Sequence, residues 1–335
     1  MHTAAMNQAF QNVIRGAVFF TGFVPSFSTI GYQLRKPFFA HIGKFTGQRW
    51  LVTGASAGIG REIARQAALR GAEVFAVARS SDRLAVLANE VDAAAGQVHP
   101  VATDLSLLSA VDALATHAGL GLRDDRPLDV LLNNVGLMLN EAQVTSEGRD
   151  LALSTNLLGH YALTEAALAR GLIGEKTVVL NMSSGGMYNV PLSIRSLIPK
   201  PDRRYDGTLA YAFQKRAQVV LNRYWQTSAS HPFKSYVLHP GWVATPGVET
   251  AMPDFNRVFG PILRPVEAGA DTALWLADKR PDAPAGGLWF DRRRRPEHLL
   301  PGTRGGDSTE ALIEFLEQNT GRGALRPETP SALAS

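Results

Sequence analysis

The sequence predicts an α/β fold: a doubly wound parallel sheet of about seven strands with helices on both faces, built as a single domain behind an N-terminal leader. Two observations carry this expectation. From residue 48 onward, short apolar or β-branched runs alternate with stretches of helical periodicity, the pattern of βαβ units joined by right-handed crossovers. The first of these runs, Trp50, Leu51 and Val52, passes through a glycine-rich turn directly into a helical pattern with Ile59, Ile63, Ala64 and Ala67. Strand, turn and helix therefore follow without a linker.

Residues 1–46 form the leader. Its apolar part, 13–24, is broken by Arg15 and two glycines and is followed by Pro25; it is too short for the roughly 20 residues of a membrane span. Phe19, Phe20, Phe23, Phe27, Phe38 and Phe39 lie near Arg15, Arg35, Lys36 and Lys44. Such a mixture fits helices capping the domain, and it fits a peripheral contact with a membrane surface or partner, because rings with basic neighbours suit headgroups.

The domain proper is expected over 47–300. Its strands are read at 50–52, 73–78, 98–102, 130–132, 177–180, 235–238 and 287–290, and its helices at 61–69, 83–94, 108–117, 148–169, 210–229 and 265–277. Residues 301–335 are read as a C-terminal helix and a flexible tail rich in Gly, Pro, Ala and Ser. With 45% hydrophobic and 19% charged residues, the chain has a globular composition. Cysteine is absent, which excludes disulfides and thiolate metal sites. The eight histidines show no ligand-like pairing, so no metal is expected. The formal charge of +4 is spread along the chain and gives no nucleic-acid footprint.

The turn at Gly54, Gly58 and Gly60 has the geometry of a phosphate cradle. Without Cβ atoms its backbone N–H groups can approach an anion, and the N-terminus of the following helix faces the same point. The spacing, G-x-x-x-G-x-G, departs from the general dinucleotide fingerprint. The second strand should end at Ala78, where NAD-selective folds carry an acidic residue for the ribose 2′-hydroxyl. Here Arg79 follows instead. A guanidinium suits a 2′-phosphate, which favours NADP(H).

Tyr211 and Lys215, in YAFQK, lie four residues apart and share one helix face. An ammonium about 4 Å from the tyrosine, at an effective dielectric near 20, contributes about 4 kcal/mol, or about three pKa units. The spacing thus predicts a tyrosine with a depressed pKa, able to exchange a proton with a carbonyl or alcohol oxygen. Ser184 stands at the end of the run VVLNMSS, and Asn156 lies in STNLLGHYAL.

Taken together, TGASAGIG at 53–60, NNVG at 133–136, SSGGM, YAFQK and HPGWVATPG resemble the short-chain dehydrogenase/reductase family, and within it the retinol-dehydrogenase-like group. The resemblance runs from about residue 50 to 290 and implies a Rossmann-type fold. It implies cofactor contacts from Gly54, Ser56, Gly58, Ile59, Gly60, Asp104, Leu105, Asn133, Pro240, Gly241, Val243 and Thr245. It further implies a tetrad in which Asn156 supports a proton relay to Lys215, Ser184 polarises the carbonyl, Tyr211 transfers the proton and Lys215 also holds the nicotinamide ribose. Asn133 and Asn134 have a second reading, as amides tying strand ends together. The loop 185–209 is longer than in many relatives, which suggests a wall or lid. With Met187, Tyr188, Pro191, Leu192 and Ile194 on one side and Val248, Met252, Phe255 and Phe259 on the other, it predicts an apolar pocket.

The expected activity is NADP(H)-dependent interconversion of a carbonyl and an alcohol on a small apolar molecule. The expected setting is a homodimer in the cytoplasm, peripheral to a membrane through the leader, with no nucleic-acid partner. Beside sugar-nucleotide epimerisation, which shares the Tyr–Lys chemistry but for which no large nucleotide-binding second domain is indicated, two further rivals stand. Gly54, Ser56 and Gly58 also spell the hydrolase elbow G-x-S-x-G, with His239 or His298 as partner. That elbow normally follows several earlier strands, and the reading leaves Asn156, Tyr211 and Lys215 unused. The other rival is a non-catalytic NADP-binding regulatory or partner-binding protein, against which the complete tetrad argues.

Overall fold

Along β1 (Arg49–Thr53) successive side chains point to opposite sides. Leu51 joins one core cluster with Phe75, Leu131 and Val179. Trp50 and Val52 join a second cluster with Val74, Ala76, Leu132 and Leu180. A sheet buried on both faces accounts for the near-continuous apolar strands. The structure is a computed structural model and describes residues 18–91, 95–122, 124–199, 204–282 and 284–323. Phe19 and Phe20 of the leader fall outside the side chains described, as does the tail beyond residue 323.

The strands are β1, β2 (Glu73–Ala78), β3 (Gln97–Ala102), β4 (Val130–Asn133), β5 (Val178–Met182), β6 (Lys234–Leu238), β7 (Leu288–Phe290) and β8 (Arg293–Arg295). They form one sheet in the order β3-β2-β1-β4-β5-β6-β7-β8. Pairing is parallel through β7. The chain winds outward from β1 in one direction to β3 and then from β4 in the other. The switch point between β1 and β4 opens a crevice at the carboxyl ends of the strands. On one face lie the helices Leu108–Leu114, Gly159–Ala169, Gly207–Thr227 and Thr309–Thr320; on the other lie Gly58–Leu69, Ser81–Asn89 and Val266–Lys279.

Among the described residues an eighth strand extends the expected sheet of about seven. β8 runs antiparallel to β7 after a two-residue turn in which Asp291 and Arg292 both take positive φ, 47° and 59°. A hairpin turn of this hand usually calls on Asn or Gly; here ion pairs hold the conformation. Asp291 accepts from Arg264 Nη1 at 2.6 Å and from Arg35 Nε at 2.7 Å. Arg292 donates from Nε to Asp271 at 2.8 Å and from Nη1 to the carbonyl of Ala40.

Arg35 and Ala40 belong to the leader, so the leader is built into this edge of the domain. Phe23, Phe27, Tyr32, Ile42 and Phe45 are buried, and Phe23 and Phe27 share a third core cluster with Met187, Tyr188, Val219, Val237, Leu288 and Phe290. Arg264 is fully buried and also donates to the carbonyls of Ser26, Phe27 and Ser28. These bonds satisfy a guanidinium whose exposure to apolar surroundings without partners would cost about 3–5 kcal/mol. Part of the leader therefore caps the domain, whereas Leu34 and Phe38 stay 70% and 82% exposed.

Candidate active site

The crevice at the switch point holds a cavity of about 1070 Å³. Its first wall is the glycine turn, with Gly54, Ser56, Gly58, Ile59 and Gly60 all lining it. Gly54 has φ +71°, and a Cβ on Gly60 would come within 2.5 Å of Gly54 O and 2.3 Å of Asn134 Nδ2, so neither position accepts a side chain. Asn134 is held there because its Nδ2 donates to Thr53 O at 2.9 Å. The helix Gly58–Leu69 begins at Ala57 with no side-chain cap, leaving its first N–H groups free to receive an anion. This cradle fits the pyrophosphate of a dinucleotide.

Arg79, Ser80 and Arg83 line the cavity beyond the end of β2. Arg79 is exposed, whereas Arg61 pairs with Glu90. Asp104 and Leu105 line the cavity after β3, with Asp104 Oδ1 accepting from the Ser106 N–H at 2.9 Å. Pro240, Gly241, Val243 and Thr245 line the far side. The Thr245 hydroxyl caps the helix Pro246–Ala251 by accepting from Val248 N–H.

Asn133 does not join them. It is fully buried, and its Nδ2 donates to Thr164 Oγ1 and Asn181 Oδ1, both at 3.0 Å. Asn181 continues the ladder to Asn222. The amide faces between strands because β4 alternates, and it is the neighbouring Asn134 that reaches the cavity.

The tetrad is assembled by three elements. Asn156 lies in a π turn, Ser154–Leu158, that opens the helix Gly159–Ala169, a distortion frequent at functional sites. Its side chain clasps Leu137, accepting from the N–H at 2.8 Å and donating to the carbonyl at 2.8 Å, and it also donates to Gln214 Oε1 at 2.7 Å. Its own carbonyl accepts from Gln218 Nε2. Ser184 follows β5 and caps the turn Gly185–Asn189. Tyr211 and Lys215 project from the helix Gly207–Thr227, whose start is fixed by Asp206 accepting from Leu209 N–H. Ser184, Tyr211 and Lys215 all line the cavity; Asn156 stands behind it.

The electrostatics correct one expectation. Burial pushes Tyr211 up to about 12, with a hydrogen bond to Ser184 acting in the opposite sense. Burial lowers Lys215 to about 7. The predicted depression of the tyrosine is absent because desolvation by burial is the dominant influence on Tyr211; Lys215 Nζ lies 5.3 Å from the centre of the Tyr211 ring and donates to Met182 O at 2.8 Å. With its pKa raised by burial, Tyr211 is a phenol at neutral pH.

Two histidines next to this region are also perturbed: burial, assisted by Lys215 for His160 and by Arg264 for His239, lowers both to about 3. Their folded pKa values lie below the unfolded value of about 6.5, so the unfolded chain binds more protons between these limits. We expect the urea midpoint to fall as pH drops from about 6.5 towards about 3, and His239→Asn to flatten that fall. A midpoint equally steep in both proteins would remove this assignment.

The described part of the loop 185–209 forms a wall, but not with the side chains expected. Met187, Tyr188 and Leu192 are buried in packing. Arg216, itself buried, pins the loop by donating to the carbonyls of Met187 and Val190 at 2.7 and 3.0 Å. Val190 and Asn189 reach the cavity, together with Val248, Met252 and Phe255 from the opposite side. Further apolar lining includes Leu137, Met138, Leu209, Trp242 and the leader residues Phe23 and Phe27. Nothing in the local sequence of the leader marks it as cavity lining; its aromatic density was the available signal. The hydrolase reading gains no support, since His239 packs against Phe27 and His298 bonds Thr303, neither engaging Ser56.

Comparison with known proteins agrees with this geometry. The short chain dehydrogenase family model matches residues 48–193. Dehydrogenase/reductase SDR family member 12 from Bos taurus is 37% identical over 81% of this chain and 86% of its own. Human retinol dehydrogenase 12 is 30% identical over 79% of this chain and 84% of its own. A solved Beutenbergia cavernae protein, named as an NAD(P)-dependent gluconate 5-dehydrogenase and holding NADP at low occupancy, superposes with a TM-score of 0.55 at 25% identity, covering 71% of this chain and 92% of that one. With the glycine cradle, the Ser184–Tyr211–Lys215 cluster and relatives aligned over most of their length, the chain belongs to the short-chain dehydrogenase/reductase family of oxidoreductases.

Proposed function

We propose that this protein is an NADP(H)-dependent oxidoreductase that interconverts a carbonyl and an alcohol on an apolar small molecule, with reduction as the favoured direction. The observation that carries the reading is one cavity lined at one end by the glycine cradle and Arg79 and at the other by Ser184, Tyr211 and Lys215. NADP(H), when bound, supplies or accepts the hydride. The cradle N–H groups hold its pyrophosphate, and Arg79 holds its 2′-phosphate, there being alanine rather than a carboxylate at the end of β2. Ser184 Oγ orients the substrate oxygen, and the Tyr211 hydroxyl gives that oxygen a proton, a step suited to a phenol kept protonated by burial. Lys215 is set to interact with the ribose, and Asn156 fixes the 137 segment of the wall. An apolar lining, and a relative named for an apolar alcohol, retinol, support the substrate class.

Consumption of NADPH with a panel of apolar aldehydes and ketones tests the proposal directly. If NADPH bound but no member of the panel were turned over, the non-catalytic NADP-binding reading would take its place.

We further propose a peripheral membrane contact through the outer side of the leader, where Ile30, Leu34 and Phe38 are exposed next to Lys36. Among the described residues no helix is long and apolar enough to cross a membrane. Flotation with anionic liposomes should recover the wild type in the lipid fraction, and Leu34→Asp/Phe38→Asp should lose most of that recovery. Equal recovery would leave the leader with a capping role alone.

A further inference from the structure

Phe23 and Phe27 occupy an unusual position for residues that precede the first strand. Both line the cavity although they are only 7% and 5% exposed. The Phe27 ring meets His239 edge-on at 4.4 Å and Trp242 edge-on at 6.0 Å. Trp242 in turn meets Phe255, another lining residue, at 5.1 Å. Phe27 also abuts the catalytic loop: a Cβ on Gly185, the residue after Ser184, would lie 3.0 Å from Phe27 Cε2 and 3.1 Å from His239 Nε2. A side chain there would crowd the ring, so glycine gives the closest fit between ring and loop.

The backbone of this strap is fixed from beneath. Phe27 O accepts from Trp242 N–H at 2.9 Å and from Arg264 Nε at 2.7 Å. Ser26 O accepts from Arg264 Nη2 at 2.8 Å and Arg35 Nη2 at 2.6 Å. Both guanidiniums are tied to Asp291. A ring anchored through its own carbonyl to a buried ion-pair network has little freedom to move aside when a ligand enters.

We infer that Phe27 is a specificity-determining residue: the leader strap supplies the aromatic wall of the substrate end of the cleft, shares it with Trp242, and selects ligands with a flat apolar body while bracing the Ser184 loop through Gly185. The inference rests on the proposed carbonyl chemistry for its substrate class, but the wall is tested by binding, apart from turnover.

A suitable probe is the fluorescent aromatic ketone 6-propionyl-2-dimethylaminonaphthalene, whose emission reports an apolar site whether or not it is reduced. With full-length protein and NADP⁺, the wild type should bind the probe, and Phe27→Ala should bind it about tenfold or more weakly, the scale of discrimination a hydrophobic pocket supplies. Phe27→Leu, which keeps apolar volume but loses the ring, should weaken it about threefold. NADPH affinity, measured by calorimetry, should stay within about twofold in both variants because the pyrophosphate is held by the backbone N–H groups of the Gly54–Gly60 turn and not by the ring.

Equal probe affinity in wild type and variants overturns the inference, as does a wild type that binds NADPH but no probe. Probe and NADPH affinities falling together also overturn it, because that marks a merely structural role. Should the alanine variant not fold, Phe27→Leu decides on the same criteria. Probe binding that follows Phe27 in a protein that consumes no NADPH leaves the wall standing and removes the proposed reaction instead.

Discussion

Tyr211→Phe is expected to lower NADPH-dependent reduction about a hundred- to ten-thousand-fold, the range that a positioned general acid contributes. The variant keeps the ring, its place on the helix Gly207–Thr227 and its contact with Lys215, and loses the hydroxyl set beside Ser184. Folding should change little, since the deleted atom is a single partner in a site open to a large cavity. The effect belongs in the chemical step: single-turnover oxidation of NADPH should slow, while NADPH binding by calorimetry persists through the glycine cradle. Because burial holds Tyr211 at about 12, the phenol is the dominant form in the ligand-free protein at neutral pH, and the proton needed by a developing alkoxide is in place. A variant turning over within about threefold of wild type would show that proton delivery runs through another group.

How far the sequence could lead here depended on whether a feature was local. Strands β1 to β7 were legible because each is a short apolar run bounded by turn or helix signals, as in Glu73–Ala78 and Val178–Met182. β8 was not, because Arg293–Arg295 lacks any strand-like composition. It exists through Asp291 and Arg292, held in the left-handed region by Arg264, Arg35 and Asp271, residues scattered along the chain. That Ser184, Tyr211 and Lys215 meet at one cavity was legible from spacing and family resemblance, yet the charge state of the cluster was not. Coulomb's law between Tyr211 and Lys215 predicted a lowered tyrosine, but desolvation, which depends on everything packed around the pair, is the larger effect and has the opposite sign for Tyr211. The same reasoning separates Asn133 from Asn134. Adjacent residues at a strand end face opposite ways, and only the register decides which one meets the cavity.

NADPH is expected to bind about 10- to 100-fold more tightly than NADH, and Arg79→Ala should erase most of that difference. A hydrogen bond to a charged group contributes about 1.5–3 kcal/mol, and each 1.4 kcal/mol is about a factor of ten in affinity. Arg79 is suited to this because it is exposed at the mouth of the cavity and lines it. Arg61, the other arginine near the turn, is already paired with Glu90. Arg83 lines the same end of the cavity, so a residual preference in Arg79→Ala should vanish in the double variant with Arg83→Ala. NADH affinity should be nearly unchanged in both, because the 2′-hydroxyl lacks the charge that the guanidinium reads while the Gly54–Gly60 cradle still holds the pyrophosphate. The preference should also shrink with added salt, since an exposed guanidinium and a phosphate are screened over about 10 Å at 0.1 M. Calorimetric titration with both cofactors at two salt concentrations separates these outcomes. A wild type favouring NADH would overturn the NADP assignment and leave the fold and the tetrad untouched, whereas parallel losses for NADH and NADPH in Arg79→Ala would place Arg79 on the pyrophosphate rather than on the ribose.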